Sequence, residues 1–225
     1  MLFRDRTEAG QFLAARLECF ADLPDLLVLA LPRGGVPVAF EVAEALHAPL
    51  DVFVVRKLGL PGNEELAMGA IASGGVRVVN DEVVRVLGVP DGIIEQVAAE
   101  QQVELERRER AYRGDVPAAD AHGKTVILID DGLATGTTMR AAVKALRAQQ
   151  PARIVVAVPV GAAQTCAELA LEANELICLR MPEPFQAVGI WYEDFEQTTD
   201  AEVRAQLQRA AEEAALLDRI YTVGL

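Results

Sequence analysis

The sequence predicts an α/β fold built on one open, mostly parallel sheet flanked by helices. Three observations predict it. Short β-rich runs alternate with helical patterns along the 225 residues, the order expected of βαβ units. Most of these runs are continuously apolar, which suits strands buried on both faces of a parallel sheet. One run ends in two carboxylates and a Gly/Thr turn that opens a helix, and open α/β sheets bind ligands at such strand ends.

The candidate strands are Leu26–Leu31, Asp51–Arg56, Val76–Asn80, Thr125–Asp130, Arg153–Val160 and Glu175–Arg180. Helical patterns cover Val36–His47, Gly136–Ala148 and Gly161–Ala173. Two segments stand apart. Asp91–Arg113 reads as a long polar helix with a thin apolar stripe of Ile94, Val97, Leu105 and Tyr112, an insertion packed on the body or on a second subunit. Asp200–Asp218 reads as an amphipathic helix. With no repeat or low-complexity linker, residues 1–225 read as a single domain.

Composition excludes several functions. A chain this long buries on the order of 70% of its unfolded surface and needs no staples. Lys and Arg number 21 against 34 Asp and Glu, a formal charge of −13. That charge repels nucleic-acid backbones, but a few local cations can still hold a small anion. Cys19, Cys166 and Cys178 are widely separated, and His47 and His122 are isolated, so neither a zinc site nor a disulfide framework is indicated. The first residues, MLFRDRTEAGQF, lack the apolar core of a signal peptide. The longest apolar runs fall short of the roughly 18 residues that span a bilayer. A cytoplasmic protein with no membrane or nucleic-acid partner is expected.

Most of the functional information lies in VILIDDGLATGTT, Val126–Thr138. A buried strand delivers Asp130 and Asp131 to its C-terminal end, and a small-residue loop then enters a helix. Such a loop offers backbone N–H groups, hydroxyls and the positive end of the helix dipole to a phosphate. Two carboxylates beside a phosphate make sense where the phosphate is attached to a sugar whose hydroxyls need acceptors, or where Mg²⁺ is near. A structural turn capped by Asp and Thr is the plainer alternative. Gly123-Lys124-Thr125 resembles the end of a Walker A loop, but it precedes a strand instead of opening a helix.

The Val126–Thr138 segment resembles the 13-residue signature of the type I phosphoribosyltransferases, which use 5-phosphoribosyl-1-pyrophosphate (PRPP). The resemblance implies that Asp130 and Asp131 hold the ribose hydroxyls and meet Mg²⁺ indirectly, through ribose or water. It implies that Ala134, Thr135, Gly136, Thr137 and Thr138 wrap the 5′-phosphate. It also implies a type I phosphoribosyltransferase-like fold with a small C-terminal hood, about residues 180–200, and a helical insertion, about residues 81–114.

Two more loops carry cations to predicted strand ends. In LPRGGVP, Leu31–Pro37, Arg33 supplies a planar cation, while Gly34 and Gly35 permit unusual backbone angles and close ligand approach. In the resembled family this loop binds pyrophosphate, often through a cis non-proline peptide. Arg56 and Lys57 end the second predicted strand, and a mobile segment with Gly59, Pro61, Gly62 and Asn63 follows. It resembles the family's catalytic loop, which implies roles for Arg56 and Lys57 in catalysis and pyrophosphate binding. Glu64 and Glu65 read as a solvated acidic helix start. The string RKLG-PGNEELAMGAI resembles bacterial stand-alone phosphoribosyltransferase-domain proteins. In RRERAYRG, Arg107–Gly114, the basic residues neighbour glutamates at helical spacing and read as a salt-bridged solvated face.

The hood would choose the acceptor. Phe185, Trp191, Tyr192 and Phe195 fall within its RMPEPFQAVGIWYEDF. Phe185, Trp191 and Tyr192 could form a stacking platform for a flat base, or the rings could fill the hood's own core. The family's purine and pyrimidine acceptor signatures are not recognisable there. The expected activity is Mg²⁺-dependent transfer of phosphoribose from PRPP to an unidentified nitrogenous small-molecule acceptor, with release of pyrophosphate. The alternatives are a non-catalytic PRPP- or nucleotide-binding regulator and a hydrolase or phosphorylase of a phosphoribosyl compound. Family resemblance and the long helix both point to a homodimer.

Overall fold

The computed structural model describes residues 2–223. Its centre is a five-stranded parallel sheet of β1 (Leu26–Ala30), β2 (Leu50–Val52), β6 (Thr125–Ile129), β7 (Arg153–Val160) and β8 (Glu175–Arg180), in the order β2-β1-β6-β7-β8. Strand residues alternate between two apolar layers. Val28, Ala30, Ile127 and Ile129 face a core shared with α2 (Gly35–Leu46), α4 (Asp91–Arg113) and α7 (Asp200–Val223). Leu27, Leu29, Val126 and Leu128 face a core shared with α5 (Thr137–Ala148) and α6 (Ala163–Leu169). Burial on both faces explains why these strands read as unbroken apolar runs.

The chain runs from β1 to β2 on one side and returns to β6 on the other side of β1. The order therefore switches between β1 and β6, and their C-terminal ends open a crevice there. Ala30 pairs with Ile129, and the Leu31 N–H donates to the Ile129 carbonyl at 2.8 Å. That register brings the Arg33 loop directly beside Asp130 and Asp131.

Several elements differ from expectation. Asp51–Arg56 is not one strand. The Phe53 N–H still donates to Ala30 on the parallel sheet, but the Val54 N–H donates to the Ser73 hydroxyl. From there the chain enters a second, antiparallel sheet of β3 (Val55–Leu60), β4 (Asn63–Ala72) and β5 (Val76–Val79). Val76–Val79 thus belongs to this smaller sheet. Pro61 and Gly62, with Gly62 at φ 83°, form the tight turn of a hairpin, a use of Pro-Gly that hairpins favour. The segment expected to be a mobile loop with an acidic helix start at Glu64 and Glu65 is therefore a β-hairpin, with both glutamates in β4. α3 (Asp81–Leu87) follows it.

α4 has the expected bounds and packs on β3, β4 and α7 within the same chain. The sequence reading missed α1 (Arg6–Arg16), which Asp5 caps by accepting the Glu8 N–H at 2.7 Å. α7 starts in a capping box: the Thr199 hydroxyl accepts the Glu202 N–H, and the Glu202 carboxylate accepts the Thr199 N–H. No helix among the described residues is long and apolar enough to cross a membrane.

Candidate active site

The β6–α5 turn forms one wall of the crevice. Asp130 and Asp131 leave the strand end, and the Asp130 carboxylate accepts the Asp131 N–H at 2.9 Å. Burial and the Asp131 charge raise the Asp130 carboxyl well above its ordinary value. Burial raises Asp131 too, against the opposing charge of Arg6. Beyond them, Ala134, Thr135, Thr137 and Thr138 are exposed around a buried Gly136. Gly136 sits at φ 68°, and a Cβ there would lie 2.5 Å from the Thr165 methyl group, so the turn requires glycine. The Thr165 hydroxyl fixes the loop by donating to the Ala134 carbonyl at 2.7 Å. The first N–H groups of α5 have no acceptor within the helix, and the Thr135 and Thr137 hydroxyls lie 3.1 Å apart beside them. Together these groups are chemically able to hold an anion.

The β1–α2 loop faces this turn. The Pro32–Arg33 peptide is cis. Gly34 has ordinary right-handed angles, so it is not glycine for the sake of unusual backbone angles. The reason is close approach: a Cβ on Gly34 would stand 2.1 Å from the Asp131 carboxylate, and one on Gly35 would stand 2.7 Å from the Ile129 carbonyl.

A cationic wall completes the crevice, and much of it comes from residues that sequence reasoning missed or read differently. A cleft of about 560 Å³ is lined by Arg6, Arg33, Arg107, Arg108 and Asp131, together with Tyr112 and Phe195. Glu104 holds both α4 arginines, Arg107 at 2.7 Å and Arg108 at 2.8 Å, and these pairs bring its carboxyl down to about 2. The expected i,i+3 and i,i+4 bridges therefore exist, yet the same arginines line the cleft. Arg33 reaches Asp200 at 3.4 Å and stays one-third exposed. The Arg56 guanidinium donates to the Gln101 side chain at 2.9 Å. Burial, with repulsion from Arg108 and Arg107, lowers its proton affinity, so Arg56 belongs to the α4 side. Lys57 diverges from it, as neighbouring strand residues must. It lines a separate cleft with Thr137 and Lys144. The two residues still meet, because Arg56 and Lys57 both line a further cleft between the hairpin and α4, with Gly59, Pro61 and Gln101.

In the hood, Phe185, Trp191 and Phe195 are partly buried against Phe3, Val160 and Tyr192. Tyr192 is 5% exposed and donates its hydroxyl to the Asp131 carbonyl at 2.6 Å. Arg6, from α1, bonds the Asp131 carboxylate at 2.8 Å. Among the described residues no group of three His, Cys, Asp or Glu side chains is placed to hold a metal ion. Two deep carboxylates, one engaged by Arg6, suit a Mg²⁺ ion that arrives with a diphosphate and keeps most of its waters.

The family model described as a phosphoribosyl transferase domain matches residues 14–190. A Mycobacterium tuberculosis protein named "Putative phosphoribosyl transferase Rv0571c" is 47% identical over 209 residues, 93% of this chain and 47% of that protein. The "Bifunctional protein PyrR" of Roseiflexus is 36% identical over 136 residues, 56% of this chain and 64% of that protein. The chain spans about half to two-thirds of the length of these curated relatives. The crystal structure of TT1426 from Thermus thermophilus superposes with a TM-score of 0.85 at 43% identity, covering 93% of this chain and 99% of that one.

Proposed function

The chain belongs to the phosphoribosyl transferase family, and from that premise we propose that it transfers the phosphoribosyl group of Mg·PRPP to a nitrogenous small-molecule acceptor. The observation that carries this reading is the closeness of Gly34 to the Asp131 carboxylate. It sets the Arg33 loop against the carboxylate pair that leads into the residue 134–138 turn, at the C-terminal ends of β1 and β6.

The 5′-phosphate sits on residues 134–138 and the ribose hydroxyls donate to Asp130 and Asp131. The diphosphate lies toward Arg33, Gly34 and Gly35. Arg56, Arg107 and Arg108 add positive charge from the α4 side, and Lys57 approaches from the phosphate-loop side. In the reaction the bond from C1′ to the diphosphate oxygen breaks and its electron pair leaves with the diphosphate. The acceptor nitrogen's lone pair forms the new bond to C1′, and the acceptor's proton passes to solvent. The arginines contribute by meeting charge that grows on the leaving oxygen. The carboxylates orient the sugar and oppose the positive charge that grows at C1′. Mg²⁺, met through ribose or water by Asp130 and Asp131, would supply further neutralisation of the diphosphate. Phe185 and Trp191 keep partial exposure and are the candidate acceptor platform, whereas Tyr192, expected to join them, is buried with its hydroxyl on the Asp131 carbonyl and has no face left for an acceptor. A homodimer and a cytoplasmic setting fit this reading.

Pyrophosphate release from PRPP, measured with and without a panel of nitrogenous bases, tests the proposal. Acceptor-dependent release is expected. Release without any acceptor would favour hydrolysis, and PRPP binding without release would make the protein a sensor.

A further inference from the structure

Asp131 is held from outside the matched family region. The segment before α1 pairs with the hood: the Phe3 N–H donates to the Trp191 carbonyl at 2.9 Å, the Glu193 N–H to Phe3 at 2.8 Å and the Asp194 N–H to Arg4 at 2.8 Å. Phe3, Tyr192 and Phe195 pack in series as tilted rings, with centroids 5.5 and 5.0 Å apart. This strap meets Asp131 twice, through the Tyr192 hydroxyl on its carbonyl and through Arg6 on its carboxylate.

Arg6 is itself fixed. Its Nη1 donates to the Glu196 carbonyl at 2.7 Å, and its guanidinium lies 3.9 Å from the centre of the Phe195 ring. The side chains of Arg6 and Asp131 are only 11% and 15% exposed, so water screens the pair little. Gly34 closes in on Asp131 as well. Arg6 and the Gly34 backbone thus flank the carboxylate and leave it little room to turn. Each carboxylate oxygen accepts more than one hydrogen bond, so Arg6 and a sugar hydroxyl can share the group.

We propose that Arg6 is a positioning residue that aims the Asp131 carboxylate at the ribose hydroxyls and ties that aim to the seating of the hood. The proposal rests on the phosphoribosyl reading above. The test is calorimetric binding of Mg·PRPP, ribose 5-phosphate and Mg·diphosphate to the wild type, R6A and R6K. R6A should weaken PRPP and ribose 5-phosphate by about tenfold or more, the usual scale for a charged hydrogen bond. Diphosphate affinity should stay within about twofold of the wild type, and R6K should recover part of the loss, because it restores the charge but not the fork. Equal weakening of all three ligands would mark a merely structural role and overturn the proposal, as would no change in any. If R6A does not melt cooperatively, R6K carries the test through the same affinity ratios. A wild type that binds none of the three overturns the phosphoribosyl reading itself, whereas binding that is indifferent to Arg6 overturns only this inference.

Discussion

The two walls of the crevice are assembled in opposite ways. The wall proposed to take the phosphate, the phosphate wall below, is one turn of chain, with Asp130 through Thr138 following β6 into α5 without interruption. The cationic wall draws Arg33 from the β1–α2 loop and Arg107 and Arg108 from α4, while Arg6 from α1 is committed to the Asp131 carboxylate. Local backbone geometry alone nearly determines the first wall. The second exists only once helices have docked on the sheet. The first should therefore tolerate little change in sequence, while the second distributes its work over replaceable charges.

The largest effect expected from this contrast is in the phosphate wall. Replacing both carboxylates, Asp130→Asn with Asp131→Asn, should lower Mg·PRPP affinity by at least about 100-fold, since two charged acceptors are lost. The circular dichroism spectrum should be unchanged. An intact PRPP affinity would dissociate the acidic pair from sugar binding.

The cationic wall should respond more mildly and with a different ligand profile. R107A with R108A should weaken Mg·diphosphate by about tenfold, on the scale of charged hydrogen bonds, and leave ribose 5-phosphate unchanged. That profile is the mirror image of the one expected for R6A. If both variants weakened the same ligands, the cleft would not be divided into a sugar end and a diphosphate end.

The smallest effect separates function from stability at one residue. Burial and the Asp131 charge raise the Asp130 carboxyl, so the folded protein holds this proton more tightly than the unfolded chain does. The stability it contributes is complete below the ordinary value of 3.8 and is lost as pH rises through the raised folded value. At neutral pH this raised carboxyl therefore costs stability. Asp130→Asn alone should raise the melting temperature at pH 7 by about 2–4 °C per kcal/mol relieved, the scale for a chain of this size. The gain should vanish in acid. A lower melting temperature at pH 7 would mean that the carboxylate is better compensated in the fold than its surroundings suggest.

What could be read in advance follows the same division. The parallel strands and the Asp130–Thr138 turn were legible because their cause lies in adjacent residues. RRERAYRG was read as a solvated face, and its bridges to Glu104 are there. The sequence does not specify how α4 is rotated against the sheet, and that rotation turns Arg107 and Arg108 into the cleft. The hairpin had a signal in Pro61-Gly62 between two apolar runs, a pattern that marks hairpins as well as loops. Asp5 and Glu8 had the spacing of a capping box and could have revealed α1. No local pattern could have revealed that Arg6 would meet Asp131, 125 positions away. The clustered aromatics were visible, but the pairing of Phe3 with the hood, which turns Tyr192 inward, was not.

The central claim is that the two walls hold one ligand. The most direct test is calorimetric titration of the wild-type protein with Mg·PRPP beside its two fragments, ribose 5-phosphate and Mg·diphosphate. PRPP should bind once per chain and more tightly than either fragment, and each fragment should compete with it. PRPP that binds no more tightly than ribose 5-phosphate, or diphosphate that fails to compete, would contradict the account.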